Sequence, residues 1–329
     1  MKVVRAVWWV VAAIVASVPT SATGPDSAAR TQDLDRVTPR PPRDEADLRR
    51  WLENMIWYHH YSIDEAARAT GLETGQIEEA LDRFGIRPEA RPVRPVGAAV
   101  LVLPYPGGRH PRIGFLDGAI DPQRETKVSV FAPWDDGSSY AVVDVPEAVF
   151  TNLGLTYLAH THIKTIWEEQ GIRLEPLEWT VGAGGELTIE RRLPNGIVIG
   201  SRVEPTKDGA RMELALTNGT DAKLTGMRAQ VCVMLKGMEG FNAQTNANKV
   251  IRGELVGVRD EAGRRWVVTA WRPLNRAWAN PPVPCLHADP ALPDCAPGET
   301  VRAEGRLWFV EGSQEDVFRR VEQEWGEGG

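Results

Sequence analysis

The sequence predicts a mainly β protein, in which an antiparallel β-sandwich over 96–312 follows a small helical module over 44–86. Alternating apolar residues in short runs, separated by turn sequences, predict the strands. Apolar residues at helical spacing predict the module. The 329 residues are 42% hydrophobic and 25% charged, which is typical of a globular chain and excludes a disordered or fibrous one.

The first residues have the pattern of a secretory signal peptide over 1–22. Lys2 and Arg5 precede an apolar run over 6–18, and small residues lead to a cleavage site after Ala22. The run is shorter than the ~20 residues that span a bilayer. We therefore expect a periplasmic or secreted protein with no membrane span after cleavage, and the alternative is an uncleaved anchor.

Export would place the cysteines in an oxidising compartment, where disulfides are stable. We expect Cys285 and Cys295 to form a disulfide. Cys232 lies in the apolar stretch VCVML and is expected to be a buried free thiol.

A polar, proline-containing linker over 23–43 precedes the helical module. Residues 62–85 read SIDEAARATGLETGQIEEALDRFG, which predicts two short helices joined by a tight turn at Gly71. This stretch resembles the helix-turn-helix of sigma-factor region 4, whose second helix enters the major groove of DNA. Residues 44–84, however, carry 10 acidic and 4 basic side chains, and phosphate would repel such a surface.

We therefore predict no nucleic-acid partner, in keeping with the net charge of −7. The module is expected to be a packing unit or to bind a protein partner. Five large side chains serve either as its core or as a docking patch: Trp51, Met55, Trp57, Tyr58 and Tyr61.

A second linker over 87–95 separates the module from the β region. Strand sequences such as VSVF, YAVV and MELAL are separated by Asp136-Gly137, Asn195-Gly196 and Asn218-Gly219, which are strong hairpin signals. Residues 313–329 are expected to form a C-terminal helix and tail, because Val317, Val321 and Trp325 recur at helical spacing.

His160 and His162 are the candidate catalytic residues of the β region. Residues two apart on a strand point to the same face, so the pair is expected to line a cleft as hydrogen-bond or acid groups. In the alternative, the pair and His287 hold one divalent transition metal ion, because this spacing suits two nitrogen ligands. If the pair acts as hydrogen-bond or acid groups, no cofactor is required.

A carbohydrate is the expected ligand. Asn242, Gln244 and Asn246 alternate with small residues, and carboxamides both donate and accept hydrogen bonds, which suits sugar hydroxyls. Trp167 offers a flat face for a sugar ring, and Arg112 could bind a sugar carboxylate. With His287, these residues form the predicted substrate-binding set.

The chain contains no Gly-x-Ser-x-Gly, Walker or His-Glu-x-x-His motif. These absences argue against the common esterase, nucleotide-binding and metalloprotease classes.

The stretches PGGRHPRIGFLDGAI, LGLTYLAHTHIKTIW, CVMLKGMEGFNAQTN and NPPVPCLHADP resemble a family of secreted bacterial proteins, a resemblance that implies no activity. The strand sequence over 211–220, with the following strand and Gly240-Phe241, is similar to the galactose-mutarotase-like supersandwich. That resemblance implies a carbohydrate-processing protein with epimerase-like or lyase-like acid–base chemistry. A metal-dependent enzyme and a non-catalytic cell-envelope interaction protein are the alternatives.

Overall fold

The structure is a computed structural model that describes residues 38–111, 124–134, 137–159, 163–281 and 283–327. The predicted signal peptide and most of the first linker lie outside these residues. No helix in the described ranges is both long and apolar enough to cross a membrane.

The chain forms two antiparallel sheets, which confirms the predicted mainly β sandwich. The strands of the seven-stranded sheet are β1 Val102–Pro104, β2 Lys127–Phe131, β3 Tyr140–Thr151, β4 Gly154–Leu158, β9 Arg228–Met234, β13 Leu274–Trp278 and β14 Cys285–Pro290. Those of the eight-stranded sheet are β5 Thr180–Val181, β6 Leu187–Arg192, β7 Val198–Pro205, β8 Gly209–Thr217, β10 Lys249–Arg252, β11 Leu255–Arg259, β12 Arg265–Arg272 and β15 Thr300–Glu311. The strand order is β1-β2-β3-β9-β14-β13 in the seven-stranded sheet, where β4 also pairs with β3, and β10-β11-β12-β15-β8-β7-β6-β5 in the eight-stranded sheet.

The main core lies between the two sheets. Val143 and Val233 contribute from the seven-stranded sheet, and Leu214 and Val267 from the eight-stranded sheet. In β6 the buried and exposed residues alternate along the strand, as expected when one face of a sheet packs on a partner sheet. Each sheet therefore has an inner face in this core and an outer face turned away from it.

The C-terminal helix covers the outer face of the eight-stranded sheet. It spans Gln314–Glu327 and follows Ser313, whose Oγ accepts a hydrogen bond from Asp316 N at 3.2 Å. Val317, Phe318 and Val321 are buried against this face. The predicted helix and its apolar stripe are thus present.

Short helices cover part of the outer face of the seven-stranded sheet. They are α1 Glu45–Glu53, a π-helical turn Asn54–Tyr58, α2 Ile63–Thr70, α3 Thr74–Phe84 and a 3-10 turn Pro88–Ala90; a further helix, α4 Ile166–Glu169, follows β4, and the C-terminal helix is α5. Gly71 ends α2 with a φ of 75°, in the left-handed region that favours glycine. Trp51, Met55 and Tyr61 are buried, so these three belong to the core rather than to a free docking patch.

His59 connects the helices to the sheet. Its Nε2 lies 2.7 Å from Ser129 Oγ on β2. The ring makes edge contacts with Tyr105, Phe131 and Tyr140. Burial lowers the pKa of His59 to about 3, because charging a ring inside aromatic surroundings costs solvation free energy. The helices therefore dock through a neutral histidine.

Candidate functional site

A row of polar side chains, four of them buried, crosses the outer face of the seven-stranded sheet. The register pairs Lys127 with Asp144, Asp144 with Cys232, Cys232 with His287, and His287 with Trp278. Directly opposed residues of antiparallel strands share a face and lie side by side. We call these five residues the polar row.

Alternation along the strands explains how the sequence builds this row. In β2, Val128 and Val130 belong to the main core, so Lys127 projects to the opposite face. The same alternation places Leu286 in the main core and His287 on the outer face. The polar row therefore lies on the outer face of strands whose inner face is aliphatic.

An ion pair occupies one end of the row. Lys127 Nζ lies 3.0 Å from Asp144 Oδ1, and both side chains are fully buried. Thr126 Oγ1 donates to Asp144 Oδ1 at 3.3 Å from a backbone with φ of 59°, a conformation that β-branched residues rarely adopt. Buried charges require a partner and strained backbones persist where other contacts hold them, so this end of the row is a constrained and costly arrangement.

Two thiols and an imidazole meet at the other end of the row. Cys285 and His287 alternate on β14, and Cys285 Sγ lies 3.4 Å from His287 Nε2. Together with Cys232, each offers an Sγ or ring nitrogen within 4.8 Å of the others. All three side chains are buried. We call them the thiol–imidazole cluster.

Asp289 and Trp278 hold the imidazole in place. Asp289 Oδ1 lies 3.8 Å from His287 Nδ1, and its Oδ2 accepts hydrogen bonds from Arg276 Nη2 at 2.9 Å and Trp278 Nε1 at 2.7 Å. The Trp278 ring stacks on the His287 ring with centroids 3.9 Å apart. Burial favours neutral His287, but the charge of Cys232 and the contacts with Asp289 and Cys232 outweigh it and raise the pKa of His287 to about 10. Stacking and the neighbouring carboxylate thus fix the orientation of the ring.

Lys249 places a second cation near the thiols. Its Nζ donates to Asn246 Oδ1 at 3.1 Å, Asn280 O at 3.2 Å and Val283 O at 3.1 Å. Burial lowers the pKa of Lys249, and the neighbouring Cys285 and Cys232 oppose that shift. A nearby cation favours the thiolate form of a cysteine, and the thiolate is the form that binds a metal ion.

The structure describes only some of the predicted site residues. Asn246 and His287 are brought to one region, because Asn246 contacts Lys249 beside the cluster. Asn242 and Gln244 are exposed on the same loop. Arg112, His160 and His162 lie outside the described residues, so both the predicted catalytic pair and the predicted three-histidine metal site stay predictions.

The expectation for Trp167 is corrected by the structure. Its ring is 4% exposed in the main core, and Nε1 donates to Thr156 O at 2.8 Å. A buried indole with its polar group satisfied has no face left for a sugar.

The predicted disulfide is also wrong, because none of the three cysteines forms a disulfide. Cys285 packs on the outer face of the seven-stranded sheet, with Cys232 and Met234. Cys295 belongs to the main core on the other side of that sheet, and its Sγ donates to Glu299 O at 3.2 Å. The expectation that Cys232 is buried and outside any disulfide is confirmed.

Comparison with known proteins gives distant matches only. No family model matches the chain, and no curated protein does. A candidate kojibiose phosphorylase from the human microbiome matches with a TM-score of 0.35 and 9% identity, over 70% of this chain and 36% of that one. The chain thus spans about a third of the phosphorylase.

Two further matches have titles that also name carbohydrate-active enzymes. A candidate aldose 1-epimerase from Escherichia coli K12 has a TM-score of 0.34 and 12% identity, over 56% of this chain and 89% of that one. A mutant heparan sulfate lyase from Pedobacter heparinus has a TM-score of 0.30 and 11% identity, over 85% and 45%. Matches this distant assign neither an activity nor an active site, and the comparisons give no support to the sigma-factor resemblance of the helices.

Proposed function

We propose that the protein is an exported enzyme that processes carbohydrate by acid–base chemistry at the polar row. The carrying observation is the row itself, because charged and nucleophilic side chains continue across neighbouring strands on one sheet face. Packing alone would favour apolar residues at buried positions. The ion pair is costly to bury, which supports a role beyond stability.

The carboxylates Asp144 and Glu147 are the proposed acid–base pair. Glu147 lies where β3 bulges against β9, and its Oε2 accepts a hydrogen bond from Gln230 Nε2 at 2.7 Å. Gln230 precedes Cys232 by two residues on β9, so Glu147 reaches the same face as the polar row. Two carboxylates in different environments can hold different protonation states, which is what paired acid and base catalysis requires.

The exposed loop beside Lys249 supports a polyhydroxylated substrate. Asn242, Gln244 and Asn246 are exposed there, and Asn246 also contacts Lys249 near the thiols. Their carboxamides can match the donor and acceptor pattern of sugar hydroxyls. In the proposal, this loop binds the sugar and directs its reacting carbon toward the row.

A substrate screen with charge variants tests the proposal. Purified protein is assayed on neutral and uronate sugars for anomeric exchange and epimerisation by NMR, for elimination by ultraviolet absorbance, and for hydrolysis by reducing ends. The double variant Lys127→Met/Asp144→Leu removes both charges of the ion pair while keeping their volume, so that folding survives. We expect it, and Glu147→Gln, to lose at least about 100-fold in turnover.

Glu213→Gln, on the other sheet and 42% exposed, is the matched control and keeps wild-type turnover. Wild-type activity in the double variant, or the absence of any turnover by the folded wild type across the screen, would overturn the proposal.

A further inference from the structure

We infer that Cys232, Cys285 and His287 bind a transition metal ion, with zinc as the preferred class. Thiolates and imidazole select zinc, Cu(I) or iron rather than magnesium or calcium. The three ligand atoms already lie within 4.8 Å of one another. Zinc–sulfur bonds of about 2.3 Å in a tetrahedron place two sulfurs about 3.8 Å apart, so small side-chain rotations complete the geometry.

The surroundings of His287 are those of a metal-bound histidine. Its Nε2 faces Cys285. Its Nδ1 is buried, accepts or donates no hydrogen bond among the described residues, and lies 3.8 Å from the Asp289 carboxylate. Metal-binding histidines commonly direct the second ring nitrogen to a carboxylate, which fixes the ring and raises its basicity. Arg276 and Trp278 hold that carboxylate from the other side.

The number of ligands indicates the kind of site. Among the residues that the structure describes, no fourth His, Cys, Asp or Glu joins this group. Structural zinc sites have four protein ligands, whereas catalytic sites have three and keep one position open. The three described ligands therefore match the number that catalytic zinc sites use.

This inference does not depend on the carbohydrate assignment, because metal binding is measured without substrate. The full chain, purified under reducing conditions, is incubated with Zn²⁺ or Co²⁺ and analysed for metal content and absorbance. We expect one metal ion per chain and, with cobalt, a near-ultraviolet thiolate-to-metal charge-transfer band together with the strong visible bands of tetrahedral coordination.

Variants connect the metal to these residues. Cys285→Ser is expected to lose stoichiometric binding, and Asp289→Asn to weaken it by about 10- to 100-fold. Cys295→Ser is the matched control, because it removes a buried thiol from the other side of the sheet, and it is expected to bind as the wild type does. The cobalt spectrum of the wild type reports thiolate coordination even where Cys285→Ser does not fold.

Two results would overturn the inference. They are a wild type that binds neither metal, and a Cys295→Ser variant that loses metal as Cys285→Ser does. Metal binding by a protein that turns over no sugar would leave this inference standing and remove the proposed function. Sugar turnover by a wild type that binds no metal would remove this inference and leave the proposed function standing.

Discussion

The outer faces of the two sheets are covered in different ways. One amphipathic helix closes the eight-stranded sheet, where Trp266, Trp308 and Phe318 form an apolar layer. The seven-stranded sheet carries helices over one part and the polar row over another. The apolar face is what stability alone would select, and the polar face is the one that needs a further explanation.

Truncating a buried side chain on the apolar face should have the largest effect on stability. Phe318 is fully buried, so Phe318→Ala removes its transfer free energy and leaves a cavity. We expect a loss of about 4 kcal/mol of unfolding free energy, measured by urea denaturation, with metal content unchanged. Gln323→Ala on the exposed side of the same helix should cost little, and a comparable loss there would show that the helix itself, not its packing, is the source.

Removing one of the two charges on the polar face should destabilise the protein almost as much. Lys127→Met removes the cation that lies opposite Asp144 at a fully buried position, and we expect about 3 kcal/mol of destabilisation. The double variant Lys127→Met/Asp144→Leu should recover most of this loss in the same denaturation experiment. If the double variant is no more stable than the single one, the ion pair contributes net stability and its retention needs no functional reason.

Lowering the pH should reduce the stability of the protein through His59, which connects the helices to the seven-stranded sheet. Its folded pKa is about 3 against about 6.5 when unfolded, so the unfolded chain binds more protons and stability falls as pH drops through this window. Between pH 6.5 and 5 we expect a loss of about 1.6 kcal/mol. His59→Phe should flatten this slope in denaturation curves at each pH, and an unchanged slope would assign it to other groups.

The sequence predicted the architecture well because the strand signals are local. Alternation in β8 and the Asn195-Gly196 turn are read within a few residues. The C-terminal helix was predicted for the same reason, since Val317 and Val321 fall on one helical face.

The site was harder to predict because it depends on register between strands that are distant in sequence. Cys232 and His287 are 55 positions apart and meet only because β9 pairs with β14. Cys285 and Cys295 are close in sequence yet lie on opposite sides of a sheet. The site is visible in the sequence at β14, where Cys285, His287 and Asp289 alternate and so share one face. No pattern within a single strand indicates that Lys127, Asp144 and Lys249 lie near them.

The strand order also fixes when the molecule can fold during its synthesis. β15 is an inner strand of the eight-stranded sheet and pairs with both β12 and β8. Until residues 300–327 have left the ribosome, that sheet lacks an inner strand and its covering helix. The native sandwich therefore cannot close before β15 has been synthesised and has paired with both β12 and β8.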